Sequence, residues 1–156
     1  MLKQSRSRWL WCWFSLGALV GGCGLINPPP KDYCPALAHI TLEMGGLTDA
    51  VMALDGEDPQ TLPTLENITI AFQQQIELMT QLTPAQPQLV TYQNQLGQIY
   101  QDYATGTTMM IQARQNRDRD LAIKAQELVS QAGQREANLM PEVTSYCQTP
   151  IAERKS

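Results

Sequence analysis

Leu89, Tyr92, Leu96, Ile99, Tyr103, Gly106, Met110 and Ala113 recur at intervals of 3, 4, 3, 4, 3, 4 and 3 residues. That alternation follows one face of an α-helix; one face of a strand repeats every second residue. A face this long needs partners of similar length, and three further stripes supply them. Leu37, Ile40, Met44, Leu47, Val51 and Leu54 form the first. Leu65, Ile68, Phe72, Ile76, Met79 and Leu82 form the second. Leu121, Ala125, Leu128, Ala132, Leu139 and Val143 form the last. The last is weaker, with Arg135 where an apolar residue is due and Pro141 expected to kink or restart the helix.

The breaks between stripes have their own chemistry. Gly56 stands in the stop position of the first helix, and Asp58 or Thr61 caps the second. Pro84 and Pro87 cannot lie inside a helix, and residues 116–120 read as a turn followed by a cap. The expected helices span 34–54, 62–82, 87–115 and 118–147. Short connections join neighbours antiparallel, so the fold class is an all-α, up-down-up-down four-helix bundle. Its second hairpin is the longer, overhanging the first by roughly 10 Å at about 1.5 Å per residue. Gly106, Thr107 and Thr108 are expected near the level where the first hairpin ends.

The bundle is preceded by a leader. Residues 1–8 carry Lys3, Arg6 and Arg8 and no acid, and residues 9–20 are an uncharged, mostly apolar run of twelve. Basic then apolar is the order of an export signal, and the run is shorter than the roughly 20 residues of a spanning helix. The competing reading, an uncleaved anchor over 9–26, is broken by Gly21, Gly22 and Gly24 around Cys23. Val20-Gly21-Gly22-Cys23 resembles the lipobox of bacterial lipoproteins. The resemblance implies removal of 1–22 as a signal peptide and lipidation of Cys23. Residues 23–33 are then the lipidated Cys and a stiff spacer built on Pro28, Pro29 and Pro30. The expected location is a bacterial membrane, facing the periplasm or another extracytoplasmic space. The leader takes three of eleven Lys and Arg and none of fifteen Asp and Glu, leaving a net charge of −7 (8 less 15). Such a surface disfavours nucleic acid and anionic lipid as partners, so the anchor itself makes the membrane contact.

Cys34 opens the first helix and Cys147 closes the fourth. An antiparallel bundle puts both at one pole, and export puts them in an oxidising compartment, so a Cys34–Cys147 disulfide is expected. It closes the 34–147 bundle and leaves 148–156 as a flexible tail. The far tip carries Arg114, Arg117, Arg119 and Lys124 in an otherwise acidic molecule. These are the candidate contact for an acidic protein partner; the plainer account is a solvated hairpin with alternating Arg and Asp.

Enzymatic constellations are not evident. The single His39 excludes paired Glu-x-x-His motifs, and no phosphate loop, nucleophile elbow, haem motif or zinc spacing occurs. His39 and Glu43 have the spacing of a surface pair on a helix. No metal or other cofactor is expected. Two functions stay open: a non-enzymatic module that binds or stabilises a membrane-associated complex, or a small-ligand or metal-binding bundle with a pocket among Tyr92, Tyr103, Met110 and His39. Tyr92-Gln93, residues 100–114, Asn116 and Ser145-Tyr146-Cys147 resemble a group of small exported lipoproteins of cyanobacterial type. That resemblance implies architecture and location, and no activity.

Overall fold

The computed structural model describes residues 32–54, 58 and 60–154, with the backbone alone at 152. The expectations for the leader, for Cys23, for most of the spacer and for Gly56 lie outside these residues. The chain forms α1 (Cys34–Met52), α2 (Thr61–Gln81), α3 (Pro87–Asn116), α4 (Arg119–Gln148) and a short 3-10 turn, Ile151–Glu153. The described residues contain no strand. The molecule is a four-helix bundle whose second hairpin is the longer, at 30 residues per helix against 19 and 21.

The apolar stripes become the core. Leu37, Met44, Leu65, Phe72, Met79, Leu89, Leu96, Ala125 and Ala132 are all buried. α3 is the central helix, packed along its length on both α2 and α4 and touching α1. Two-sided packing explains why Tyr100, Ala104 and Thr107 are buried beside the stripe residues. The buried Thr107 hydroxyl donates to the Tyr103 carbonyl at 2.8 Å, so its polarity is satisfied within the helix.

Two connections are closed by side chains. Gln93 Nε2 donates to the Met79 and Leu82 carbonyls at 2.6 and 2.9 Å, covering the exposed end of α2. Asp58 Oδ1 accepts from the Gln60 N–H at 2.8 Å and holds the turn before α2, rather than capping it from the Ncap position. Pro141 neither ends nor restarts α4, which runs through it. Pro141 and Ala137 are both exposed, so the missing helix hydrogen bond falls on the outer face of α4.

α1 is the least enclosed helix. Among the described residues it approaches α4 closely only around the Cys34–Cys147 bridge, where the Cα atoms are 5.5 Å apart. Elsewhere the two helices are splayed, and the bundle is open along the α1/α4 seam.

The segment after α4 is not a free tail. Arg154 folds back against the bridged pole, donating to the Cys147 and Thr149 carbonyls at 2.8 and 2.7 Å and to Asp32 Oδ1 at 2.8 Å. Its guanidinium lies 5.6 Å from the Tyr146 ring centre. Composition could not show this, because the partner is 122 residues away. The Arg154 hydrogen bond holds the Asp32 carboxyl below the usual carboxylate range; partial burial opposes this and the Cys34 N–H reinforces it. A depressed folded-state value stabilises above the unfolded carboxylate pKa and is lost as pH falls through the folded value. Steady-state NMR order of residues 149–154 is therefore expected to fall in acid. Asp32→Asn should lower that order at neutral pH, cost about 1–2 kcal/mol there and remove the acid dependence. Equal order in both proteins at neutral pH would contradict the clamp.

Candidate functional site

Two regions stand out, the tip and the seam. At the tip, Arg117 ends α3 in the left-handed conformation, φ 54° and ψ 37°. The Asp118 N–H bonds the Ala113 carbonyl at 2.8 Å, the six-to-one closure of a Schellman turn. Asp118 then caps α4, its Oδ1 accepting from the Leu121 N–H at 3.0 Å. Arg117, Arg119 and Lys124 are exposed and Arg114 is half-buried. Arg114 lines a small hollow with Leu54, Thr61, Met110 and Ala122. That places the end of the first hairpin level with Met110 and Arg114, not with Gly106. The projecting part past Leu54 and Thr61 is therefore shorter than helix lengths suggest. The reason is visible at the other pole, where Gln93 rather than Pro87 is level with the end of α2, so α3 spends part of its extra length there.

Gly106 instead sets the α3–α4 distance. A Cβ built on it would lie 2.6 Å from Val129 Cγ2 and 3.3 Å from the Ala125 carbonyl oxygen.

The α1/α4 seam holds a cleft of about 550 Å³, walled by Thr48, Val51 and Met52 on one side and by α4 residues including Val129, Ser130 and Gly133 on the other. Tyr103 and Met110 of α3 form its floor, and no lining residue is charged. A second hollow of about 300 Å³ opens beside the disulfide, between Pro35, Ala38 and Thr41 of α1 and Met140 and Thr144 of α4.

The floor is polar at one place. The Tyr103 ring stacks on Phe72 at 6.0 Å, and its hydroxyl donates to Glu136 Oε2 at 2.8 Å. Thr48 sits beside that hydroxyl, its own hydrogen donated to the Met44 carbonyl at 3.0 Å. The Tyr100 hydroxyl is buried and faces the same Glu136 carboxylate. Burial first, and the neighbouring Glu136 carboxylate second, push both phenols well above the ordinary tyrosine range, so both stay protonated.

The four residues expected to share a pocket do not come together. Tyr103 and Met110 line the cleft, but Tyr92 packs edge-on to Tyr146 at 5.7 Å near the bridged pole, and His39 is exposed. Tyr92 and Met110 lie about 27 Å apart along one helix. Glu43 is also exposed, and no cluster of three or more metal-ligating side chains occurs among the described residues. Sequence reasoning missed Glu136, Thr48 and Val129. The one signal was the gap in the last stripe: Arg135 turns outward to pair with Asp102, and Glu136 takes the inward place.

No family model, curated protein or solved structure matches the chain. No helix of the described residues is long and apolar enough to cross a membrane.

Proposed function

We propose that this chain is a bacterial lipoprotein, anchored through Cys23 and facing an extracytoplasmic space, whose bundle acts as a non-enzymatic module that binds and stabilises a membrane-associated protein complex. The observation that carries this reading is Arg117. It holds a left-handed backbone conformation that glycine adopts freely and that costs an L-residue about 1–2 kcal/mol. A charged side chain stands there, exposed, beside Arg119 and near Lys124, in a chain of net charge −4 before the leader is removed. The described chain begins at Asp32, at the pole closed by Cys34–Cys147, so a tether upstream leaves the basic tip pointing away from it. An acidic surface on a neighbouring protein is the complementary partner.

The test is affinity purification of the full-length protein in mild detergent. The variants are Cys23→Ser and the triple charge reversal Arg114→Glu, Arg117→Glu and Arg119→Glu. One stoichiometric partner is expected with the native chain, reduced about tenfold or more by the triple variant while helical content is unchanged. An unchanged set of partners in the triple variant would rule out the tip.

A further inference from the structure

We infer that the cleft between α1 and α4 binds a small organic ammonium ion, its apolar body against Val51, Met52, Met110 and Val129 and its N–H groups donating to the Glu136 carboxylate. This site stands apart from lipidation of Cys23 and from the basic tip. It begins with a charge that the fold leaves without a cation. Glu136 is half-buried on α4. It lies about one turn beyond Gly133 and two beyond Val129, which both line the cleft, so it continues their face and closes the cleft toward the disulfide. Among the described residues no cationic side chain ion-pairs with it; its neighbour Arg135 pairs with Asp102 and Arg154 with Asp32.

What Glu136 does have is phenols. Tyr103 donates to its Oε2 at 2.8 Å, and the buried Tyr100 hydroxyl faces it. A carboxylate accepts at about four lone-pair positions, so capacity remains for a donor arriving from the cleft. Thr48 does not compete for that donor: its hydroxyl donates to the Met44 carbonyl and is itself a hydrogen-bond partner of Tyr103. Gly133 keeps the approach open. A Cβ there would already lie 3.2 Å from the Tyr103 hydroxyl, and a longer side chain would cover the phenol and its carboxylate.

Charge selects the guest. The cleft lining itself is uncharged and mostly apolar, and the chain carries a net charge of −4. An anion would be repelled by Glu136, and a neutral donor would lack the ion pairing that an ammonium adds to its hydrogen bonds. A metal ion needs several ligands, and no group of three or more metal-ligating side chains occurs among the described residues. Size follows from the walls. With Glu136 closing one end, the cleft of about 550 Å³ is a compact site, within the range of about 300–1,000 Å³ that small ligands occupy.

The test is NMR titration of the full-length protein with 2-phenylethylammonium, 2-phenylethanol and 3-phenylpropanoate, which share one apolar body. The ammonium should shift the resonances of Thr48, Met52 and Gly133 and bind about tenfold or more tightly than the other two. Glu136→Gln keeps an acceptor for Tyr103 and removes the charge, so it should weaken ammonium binding about tenfold and leave the alcohol unchanged. Ser130→Trp, at the exposed lip, fills the cleft while keeping Glu136, and should abolish ammonium binding with helical content unchanged. A fourth probe, Nα-acetyl-lysine methylamide, separates a free amine from a lysine of another protein and should bind more weakly than 2-phenylethylammonium. No binding of the ammonium, equal affinity for the three heads, or binding unaffected by Glu136→Gln would each overturn the assignment. So would shifts at the exposed Glu127 and Glu142 in place of the cleft, or a preference for the lysine probe.

Discussion

Replacing Cys34 and Cys147 together by Ser should lower the melting temperature by roughly 15 °C. The bridge spans a sequence separation of 113 residues. Closing a loop of that size removes about 4–5 kcal/mol of unfolded-state entropy in the chain-entropy model. The loss should be felt more here than in a bundle with four sealed interfaces. α1 touches α4 closely at the bridge and is splayed from it elsewhere, so no helix–helix interface backs the covalent link. Hydrogen exchange should show α1 protected least in the variant, with α3 and α4 retaining most of theirs. The Asp32–Arg154 pair then remains as the second tie at that pole, where Arg154 is almost fully buried and Asp32 partly so. A drop below about 5 °C would mean that packing of α1 on α2 carries the stability assigned to the disulfide.

Gly106→Leu should destabilise by about 2–3 kcal/mol, lowering the melting temperature by roughly 10 °C. Even the first added carbon meets Val129 Cγ2 at 2.6 Å and the Ala125 carbonyl at 3.3 Å. Val129 is β-branched and has little rotamer freedom on a helix, and the carbonyl is backbone, so α3 and α4 must move apart to make room. That separation would loosen the longest interface of the bundle. Gly97 is the control, since a Cβ there meets nothing within 4 Å. Gly97→Ala should raise stability by about 0.5–1 kcal/mol through helix propensity alone. Chemical denaturation of both variants reads the contrast. If Gly106→Leu were as stable as the native chain, the close approach of α3 and α4 would be wrong.

The helices were legible because the spacing of Leu, Ile, Met and Tyr is a local signal, and local signals survive in one sequence. The disulfide was legible too, because topology alone brings Cys34 and Cys147 to one pole. Pairings over long distances were not. Nothing near Arg154 announces Asp32, and nothing near Tyr103 announces Glu136, 33 residues away. Gln93 carries no local signal of its role, because its bonds to two carbonyls at the end of α2 depend on how the connection folds. The predicted pocket failed for a related reason. Residues sharing a stripe share a face, but a face 27 Å long passes several distinct sites, as Tyr92 and Met110 do. The seam itself was hidden, because periodicity says which face is apolar and not how far two helices stand apart.

The intact mass of the protein purified from the cells that make it, taken without reductant, bears most directly on the proposal. The account predicts a chain beginning at Cys23, heavier than its sequence by a diacylglycerol-type adduct and lighter by the two hydrogens of the Cys34–Cys147 bond. A chain beginning at Met1 with Cys23 unmodified would contradict the lipid anchor and with it the membrane-held orientation of the basic tip.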